Sequence, residues 1–498
     1  MSLQRFLVVF SGMTAVLLLG ACATQTVERR SLTLFQETLA LEDGGEATYE
    51  RGVLETAVRR SLEGGDRIEV EFFRFPRQPG APAEAPPIFM LRGGPGFGGL
   101  GPYLDRPGYY EDRIAPLTAL SDVVIPGQRG FGSSGETPCG PSRELTAREV
   151  FDDDLLAEAL SDATEECRRA WEEQGLDLGG FTVVEAAADV AEIATELGYG
   201  AIQLWGVSFG SHWAMTVMRN HPELVARATL GGLEGPDHTY DMPSDYLAAL
   251  ERIAAAAEAS PELSAAMPAE GLLAAYRSLV EAADGNPIAV SVDHDGEALQ
   301  VELDGDALRS LVRGYSGSTA FRHRMVAWPK DLLAMISGDF QEAAVDYVDD
   351  RLDRDMSDAA FFLIDCASGI SEERGERLRN DPAAALVGRT WRFYDVACAA
   401  WDADLGEDFR RPFESDIPTL LVQGNWDTST PYENAVELRP FFRRHRFVHV
   451  EGGSHGALRE AREEVEGFRE AVDHWLATGE LEAIPERVEL PPMAWSAP

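Results

Sequence analysis

Short, wholly apolar runs alternate along this chain with stretches of helical period, and glycine-rich turns separate them. Ile88–Leu91 is a four-residue apolar run suited to a strand buried on both faces, and Asp122–Ile125 is another. Each ends in a turn rich in glycine, "RGGPGFGG" after the first and "PGQRGFGSSG" after the second. Upstream, between Tyr49 and Phe75, "GVLETAVR" and "RIEVEFFRF" read as β-strands, and "PRQPGAPAEAPP" is a breaker-rich connection. Thr182 and Glu185 have capping-box spacing. Val183, Ala187, Val190, Ala194 and Leu197 keep a helical period, and Gly198 closes the helix. Then "AIQLW" reads as strand, "GVSFG" as turn and "SHWAMTVMRN" as helix, stopped at His221-Pro222.

From about Gly235 to Pro412 the texture changes to alanine-rich helical segments, with one hairpin in "VSVDHDGEALQVELDG". After Asp416 the alternation returns: strand "TLLVQ", loop "GNWDTSTP", helix, strand "RFVHV", loop "EGGSHG" and a long charged helix from Ala457. The pattern predicts an α/β fold, doubly wound around a mostly parallel sheet, with a largely helical cap inserted in it. The boundaries are a signal peptide over 1–21, a polar tether over 22–45, core over 46–234, cap over 235–412 and core again over 413–498. No internal repeat is visible.

The tether follows from the amino terminus. Arg5 precedes an apolar run, Phe6–Leu19, too short to span a bilayer, which needs about 20 residues. The boundary "LGAC", Leu19 to Cys22, is similar to a bacterial lipobox, so Cys22 is the expected lipidation site and the bilayer a partner through that anchor alone. The expected location is the bacterial cell envelope, at the outer membrane or the periplasmic face. An exported chain favours disulfides over metal ligation for the four remaining cysteines. None has zinc-pair spacing. Of three connectivities, Cys139–Cys167 with Cys366–Cys398 closes the shortest loops and is expected; free buried thiols are the alternative.

Composition changes the picture in one respect. The formal net charge is −42, from 85 acidic and 43 basic residues, and Lys330 is the single lysine. Phosphate polymers are repelled by such a chain and no basic run interrupts it, so nucleic acid is not an expected partner. At 45% hydrophobic the chain has ample material for a core.

The chemistry centres on Gly206-Val207-Ser208-Phe209-Gly210, a serine between glycines at a strand-to-helix turn. That context is what a nucleophile elbow requires: the strained turn lifts the Ser208 hydroxyl clear of the sheet, and side chains at the glycines would collide with neighbouring elements. A hydroxyl needs a base. His455, in "GGSHG" just after a strand, is best placed; His212 lies inside the elbow helix, His221 at its end, and His445 and His449 beside or in a strand. Asp427 in "GNWDTSTP" is the expected orienter of the imidazole, ahead of Asp416 and Asp402. The chain order Ser208, Asp427, His455 is that of α/β-hydrolases rather than chymotrypsin or subtilisin. Gly94 to Gly99 also fits G-x-G-x-x-G, but Pro95 interrupts it and no helix pattern follows, which argues against a dinucleotide site. On this fold a Gly-Gly segment after an early strand supplies one amide of an oxyanion hole. Gly94, beside Gly93, is therefore the expected donor, with Phe209 as the other.

Together these residues resemble the proline iminopeptidase and tripeptidyl-aminopeptidase group. The motifs are "RGGPG" (Arg92–Gly96), "GQRGFGSSG" (Gly127–Gly135), "GVSFGS", "GNWDTSTP" and "GGSHG", with the paired cysteines similar to the secreted tripeptidyl-aminopeptidase branch. Arg92 stands where the group has histidine, and Gly127 where it has aspartate. The resemblance implies a serine hydrolase that releases amino-terminal residues or short peptides through an acyl-enzyme, without cofactor or metal. It also implies cap carboxylates that bind the substrate's amino terminus, for which Glu234 is the candidate. Hydrolysis of acyl esters on the same triad is the alternative reading, and a non-catalytic envelope binding protein a further one. The substrate is thus a peptide or small acyl compound.

Overall fold

Uniformly apolar four-residue runs can be satisfied only inside a sheet covered on both faces, and that is where they lie. The computed structural model describes residues 31–96, 99–104, 106, 108–132, 145–294, 296–317, 322, 327–352, 359–389, 392–401 and 403–495. Ten strands form one sheet. They are β1 (Leu32–Ala40), β2 (Glu46–Ala57), β3 (Arg67–Phe75), β4 (Ile88–Leu91), β5 (Val123–Pro126), β6 (Ile202–Ser208) and β7 (Val225–Leu233). After a separate hairpin, β8 (Ile288–His294) with β9 (Glu297–Leu303), come β10 (Thr419–Gly424), β11 (His445–Glu451) and β12 (Arg487–Glu489). The order across the sheet is β1-β2-β3-β5-β4-β6-β7-β10-β11-β12. Pairing is antiparallel from β1 to β5 and parallel from there to β12.

The order reverses at β4, which has β5 on one side and β6 on the other. At such a reversal the loops leave the strand ends in opposite directions and open a crevice at their carboxyl ends. The loop after β4 carries Gly93 and Gly94, and β6 ends on Ser208. Topology alone therefore brings the two glycine motifs together.

One face of the sheet is covered by helices Val183–Glu196 and Phe209–Asn220, whose Val190, Ile193, Trp213 and Val217 pack on Phe89, Leu204 and Leu230. The other carries Ala457–Glu464 and Phe468–Thr478, with Trp475 buried against the sheet. The charged helix expected from Ala457 is thus two helices, because the chain turns extended at Val465 (φ −101°, ψ 120°) and restarts after Gly467 at φ 76°. Thr182 caps its helix as expected, accepting the Glu185 amide at 3.3 Å. The Glu185 carboxylate does not close the box; it accepts from Arg60 instead, at 2.8 Å.

The tether expected over 22–45 ends sooner than that. Leu32–Ala40 is the outermost strand, paired antiparallel with β2 from Leu32 opposite Leu54 to Ala40 opposite Glu46. Most of its side chains face solvent. Backbone hydrogen bonds hold it rather than burial, so it leaves little trace in the apolar pattern. The helical stretch between the two core parts is likewise divided in its packing. Residues between Tyr246 and Val348, with Leu386 and Val387, share an apolar cluster with Trp426, whereas Leu363, Ile364, Trp401 and Phe409 pack into the core of the sheet.

Candidate active site

Ser208 is the one non-glycine among the described residues with positive φ, at φ 61° and ψ −136°. A side chain in that region is strained by about 1–3 kcal/mol, and the fold tolerates it by clamping both sides of the turn. The glycines show how tightly. A Cβ on Gly206 would stand 2.3 Å from the carbonyl oxygen of Gly210, and one on Gly210 would stand 2.0 Å from that of Leu91 in β4. The turn is thus wedged between its own first helical residues and the neighbouring strand, and only glycine fits at either flank.

Asp427 follows β10 and is fully buried. Its Oδ1 accepts from the amides of Ser429 at 3.0 Å and Thr430 at 2.9 Å, and its Oδ2 from Thr430 Oγ1 at 2.8 Å and Gln423 Nε2 at 2.9 Å. His455 Nδ1 donates to the same carboxylate, 3.1 Å from Oδ1 and 3.0 Å from Oδ2, with Thr430 Oγ1 a further 3.0 Å neighbour. Burial, the largest single influence, would lower the imidazole pKa, but the charge and hydrogen bond of Asp427 with the charges of Asp241 and Glu460 together outweigh it, and the net shift is upward. With Nδ1–H committed to the carboxylate, Nε2 is left as the basic nitrogen.

Ser208 and His455 line one cavity of about 320 Å³ together with Gly93, Gly94 and Arg92. The loop after β4 lies hard against the serine: a Cβ on Gly93 would be 3.0 Å from that of Ser208. Among the described residues no hydrogen bond joins Ser208 to His455; in catalytic sites such bonds often tighten only on substrate binding. Phe209 is the first residue of the helix, so its amide is among those with no partner within the helix.

The motif "GQRG" explains how that loop is held. Gln128 Oε1 accepts the amide of Gly96 at 2.7 Å, and its Nε2 donates to the carbonyls of Arg92 at 3.1 Å and Gly93 at 3.4 Å. Arg129 beside it is buried and grips Asp189 through two bonds of 2.8 Å and 2.6 Å. It also donates to the carbonyls of Val58 and Gly180. The motif is a brace behind the glycine loop. Arg92, which stands where the resembled group has histidine, donates to the hydroxyl of Tyr109.

Glu234 immediately follows β7, its amide donating to Ser211 Oγ at 2.9 Å. Its carboxyl is pushed well above the ordinary range by burial, and the charges of Asp365 and Asp241 push the same way. Asp241 is pushed up to about 8, by burial first and by Asp427 among its neighbours; Arg374 and His455 oppose the shift. Asp365 is also raised by burial, although Tyr394 donates to it at 2.9 Å. Three carboxylates therefore sense one another, Asp365 buried and Glu234 and Asp241 half-buried, and Asp241 and His455 sense each other's charge. Sequence reasoning picked out only Glu234. Asp241 and Asp365 carry no local signal that separates them from other acidic residues of the cap.

The remaining expected residues divide cleanly. Cys366 and Cys398 form a disulfide. Cys139 and Cys22 lie outside the described residues, and so does Asp402. Asp416 is exposed and faces Arg443 at 3.4 Å, away from the imidazole. His212 is buried, bonded to the Gly235 carbonyl at 3.0 Å and Ser368 Oγ at 3.1 Å, and burial lowers its pKa to about 4. It is a neutral packing residue.

Residues 86–263 match the family described as the α/β hydrolase fold, and residues 383–488 the family described as TAP-like protein. No curated protein matches the chain. Among solved structures the chain is similar to a serine hydrolase from the polyaromatic-hydrocarbon-degrading bacterium Cycloclasticus zankles. Identity is 13%, TM-score 0.36, over 85% of this chain and 97% of that one. It is similar to an esterase from Exiguobacterium antarcticum at 12% identity and TM-score 0.37, over 89% and 100%. A thermophilic esterase from Thermogutta terrifontis gives 14% and 0.35, over 85% and 97%.

Proposed function

We propose that this chain, which belongs to the tripeptidyl-aminopeptidase-like group of α/β-hydrolases, is a serine hydrolase that releases residues or short peptides from the amino end of peptides. The observation that carries the reading is the shared cavity of Ser208 and His455, with the imidazole bonded to both oxygens of a buried aspartate.

In this mechanism Nε2 of His455 takes the proton of the Ser208 hydroxyl as its oxygen attacks the scissile carbonyl. Asp427 fixes the tautomer and stabilises the imidazolium that forms. The amides of Gly94 and Phe209 receive the oxyanion; the loss of one such donor typically raises the barrier by about 2.7–4 kcal/mol. The imidazolium then protonates the leaving amine, the C–N bond breaks, and the acyl-enzyme remains on Ser208. Water, deprotonated by the same nitrogen, releases the acid.

Preference for a free amino terminus is supported by Glu234, Asp241 and Asp365. Carboxylates crowded together and largely shielded from water repel one another when ionised, and a substrate ammonium relieves that repulsion as it binds. An ester substrate without an ammonium gains nothing there. Anchoring to the envelope through a lipidated Cys22 completes the proposal, and mass spectrometry of the mature amino terminus tests it.

The discriminating experiment compares free-amino peptidyl nitroanilides, their N-acetylated forms and short acyl esters on one preparation, with fluorophosphonate labelling of Ser208 alongside. Turnover of the free-amino substrates well above the acetylated ones is expected. Activity confined to esters would reject the peptidase reading in favour of a carboxylesterase. An unlabelled Ser208 in folded protein would point to a binding protein.

A further inference from the structure

A second cavity, of about 370 Å³, adjoins the first and shares Met90, Arg92 and Trp205 with it. Six arginines line it: Arg92, Arg106, Arg113, Arg459, Arg462 and Arg469. Only two lining residues are acidic, Asp112 and Glu463. In a chain with twice as many carboxylates as cations, that local balance runs against the composition. Glu463 serves two guanidinium groups, Arg113 at 2.9 Å and Arg459 at 3.8 Å, while Asp473, behind the cavity, takes Arg462 at 2.8 Å.

Arg462 is the best placed of the six. Its guanidinium carbon stands 5.2 Å from the centre of the Trp205 ring, and its Nε is buried with no hydrogen-bond partner. Burial depresses the pKa of Arg459 and Arg462, and the neighbouring Arg113 and Arg469 respectively push the same way, against the opposing charges of Glu460, Glu463 and Glu464 on Arg459 and of Asp473 and Glu463 on Arg462. A concave site of like charges with an unfilled donor is a poor arrangement for an empty protein and a good one for an anion. Guanidinium forks match carboxylate geometry in particular.

Placement decides which anion. Glu234, Asp241 and Asp365 come from the end of β7 and the segments that follow it, whereas the arginines come from the end of β4, the segment leading to helix Tyr109–Arg113, that helix itself, and helices Ala457–Glu464 and Phe468–Thr478. None of the three carboxylates lines the arginine cavity, and Arg92 reaches the cavity of Ser208 from the basic one. We propose that the arginine-lined cavity binds a carboxylate on the leaving portion of the substrate, an inference that rests on the peptidase reading above. The substrates are then short peptides whose free carboxyl terminus lies within reach of the cut. An ammonium is read on one side of Ser208 and a carboxylate on the other.

The test uses the full chain carrying Ser208→Ala, titrated calorimetrically with three probes. They are tetraalanine, its carboxamide, and an amidated tetrapeptide with aspartate as third residue. Tetraalanine should bind roughly ten- to a hundredfold more tightly than its carboxamide, as loss of a charge-assisted hydrogen bond implies. Recovery of affinity by the aspartyl carboxamide would assign the carboxylate to a side chain; its failure assigns it to the chain terminus. The preference should vanish in Arg459→Gln/Arg469→Gln and shrink for the parent protein as salt is raised, a reading that stands even if that variant misfolds. Equal affinity for all three probes, or an acid preference that survives loss of the arginines, overturns the inference. Fluorophosphonate labelling keeps the two proposals apart. A labelled Ser208 without acid preference sinks only the anion site, and an acid preference without labelling sinks only the serine mechanism.

Discussion

Gln423 donates from Nε2 to Oδ2 of Asp427 at 2.9 Å while its Oε1 accepts the amide of Leu233 at 2.8 Å, so one buried side chain ties the aspartate to the end of β7. The same Nε2 reaches the Thr430 carbonyl at 2.8 Å. Replacing it by an apolar residue of similar size leaves a buried carboxylate oxygen and two backbone groups each short of a partner, at about 1–3 kcal/mol for each group not rescued by water. Gln423→Leu should therefore lower kcat by roughly tenfold or more with little change in KM. Gln423→Glu should be worse, since it faces one carboxylate with another. Steady-state kinetics on a peptidyl nitroanilide checks both; a normal kcat in either variant would remove Gln423 as a positioning residue.

The backbone of Ser208 gives a prediction about stability. At φ 61° and ψ −136° any side chain is strained, so Ser208→Ala keeps the strain and Ser208→Gly releases it. Glycine also loosens the unfolded chain, which offsets part of the gain. Both variants should lack activity, and the glycine form should be the more stable by about 1 kcal/mol, read from chemical denaturation. Gly210→Ala works in the opposite direction. Its added carbon meets the Leu91 carbonyl at 2.0 Å, and destabilisation of about 2 kcal/mol or more is expected.

His455 fixes the acid limb of the pH profile. Burial lowers its pKa, Asp427, Asp241 and Glu460 together raise it by more, with Asp427 foremost among them, and the balance lies above 6.5. Only the neutral imidazole can take the serine proton, so kcat/KM should fall as pH drops through a midpoint above 6.5. Asp427→Asn removes the charge that raises it. The midpoint should move down, and kcat should fall by about 10⁴ through the wrong tautomer. A limb that stays in place in that variant would mean that another group controls it.

Asp241 ties stability to pH in the opposite sense from most carboxylates. Its folded pKa, about 8, is above the ordinary 3.8, chiefly through burial. The folded state therefore holds this proton more tightly than the unfolded one. The resulting stability is complete below the unfolded pKa and is lost as pH rises through the folded value. Between about pH 4 and pH 8 the melting temperature should decline, and Asp241→Asn should flatten that decline. A peptide ammonium should reverse part of it and release protons as it binds. Titration calorimetry in buffers of different ionisation enthalpy reads that release directly.

How far the sequence announces these features depends on whether the responsible physics is local. β4, β6, β10 and β11 are legible because each is an apolar run bounded by a glycine-rich turn. Ser208, Asp427 and His455 are legible because each sits just where such a run ends. β1 is not, since an outer strand whose side chains face water is held by backbone pairing with β2 and shows no apolar period. Gln423 reads as one more residue of "TLLVQ"; its task appears only when β10 lies beside β7. Asp241 and Asp365 are separated from Asp427 in sequence and joined only by folding, and among 85 acidic residues nothing marks them beforehand. The break at Gly467 was available in principle, as a glycine inside a charged helical pattern.

The Cys366–Cys398 disulfide joins two elements that also carry the carboxylate region. Helix Ala359–Ser368 holds Asp365, and helix Arg392–Ala400 holds Tyr394, which donates to Asp365 at 2.9 Å. The bridge closes a loop of 32 residues, for which the usual stabilisation is about 2–4 kcal/mol. Its removal should therefore act twice. Cys366→Ser/Cys398→Ser should unfold at lower denaturant concentration, and while still folded it should bind free-amino peptides less tightly because Asp365 and Tyr394 are no longer held in register. The second effect should appear as a raised KM for free-amino substrates, with KM for acyl esters and labelling of Ser208 unchanged. Equal changes in KM for both substrate classes would show that the bridge supports the fold in general rather than the acidic region beside Ser208.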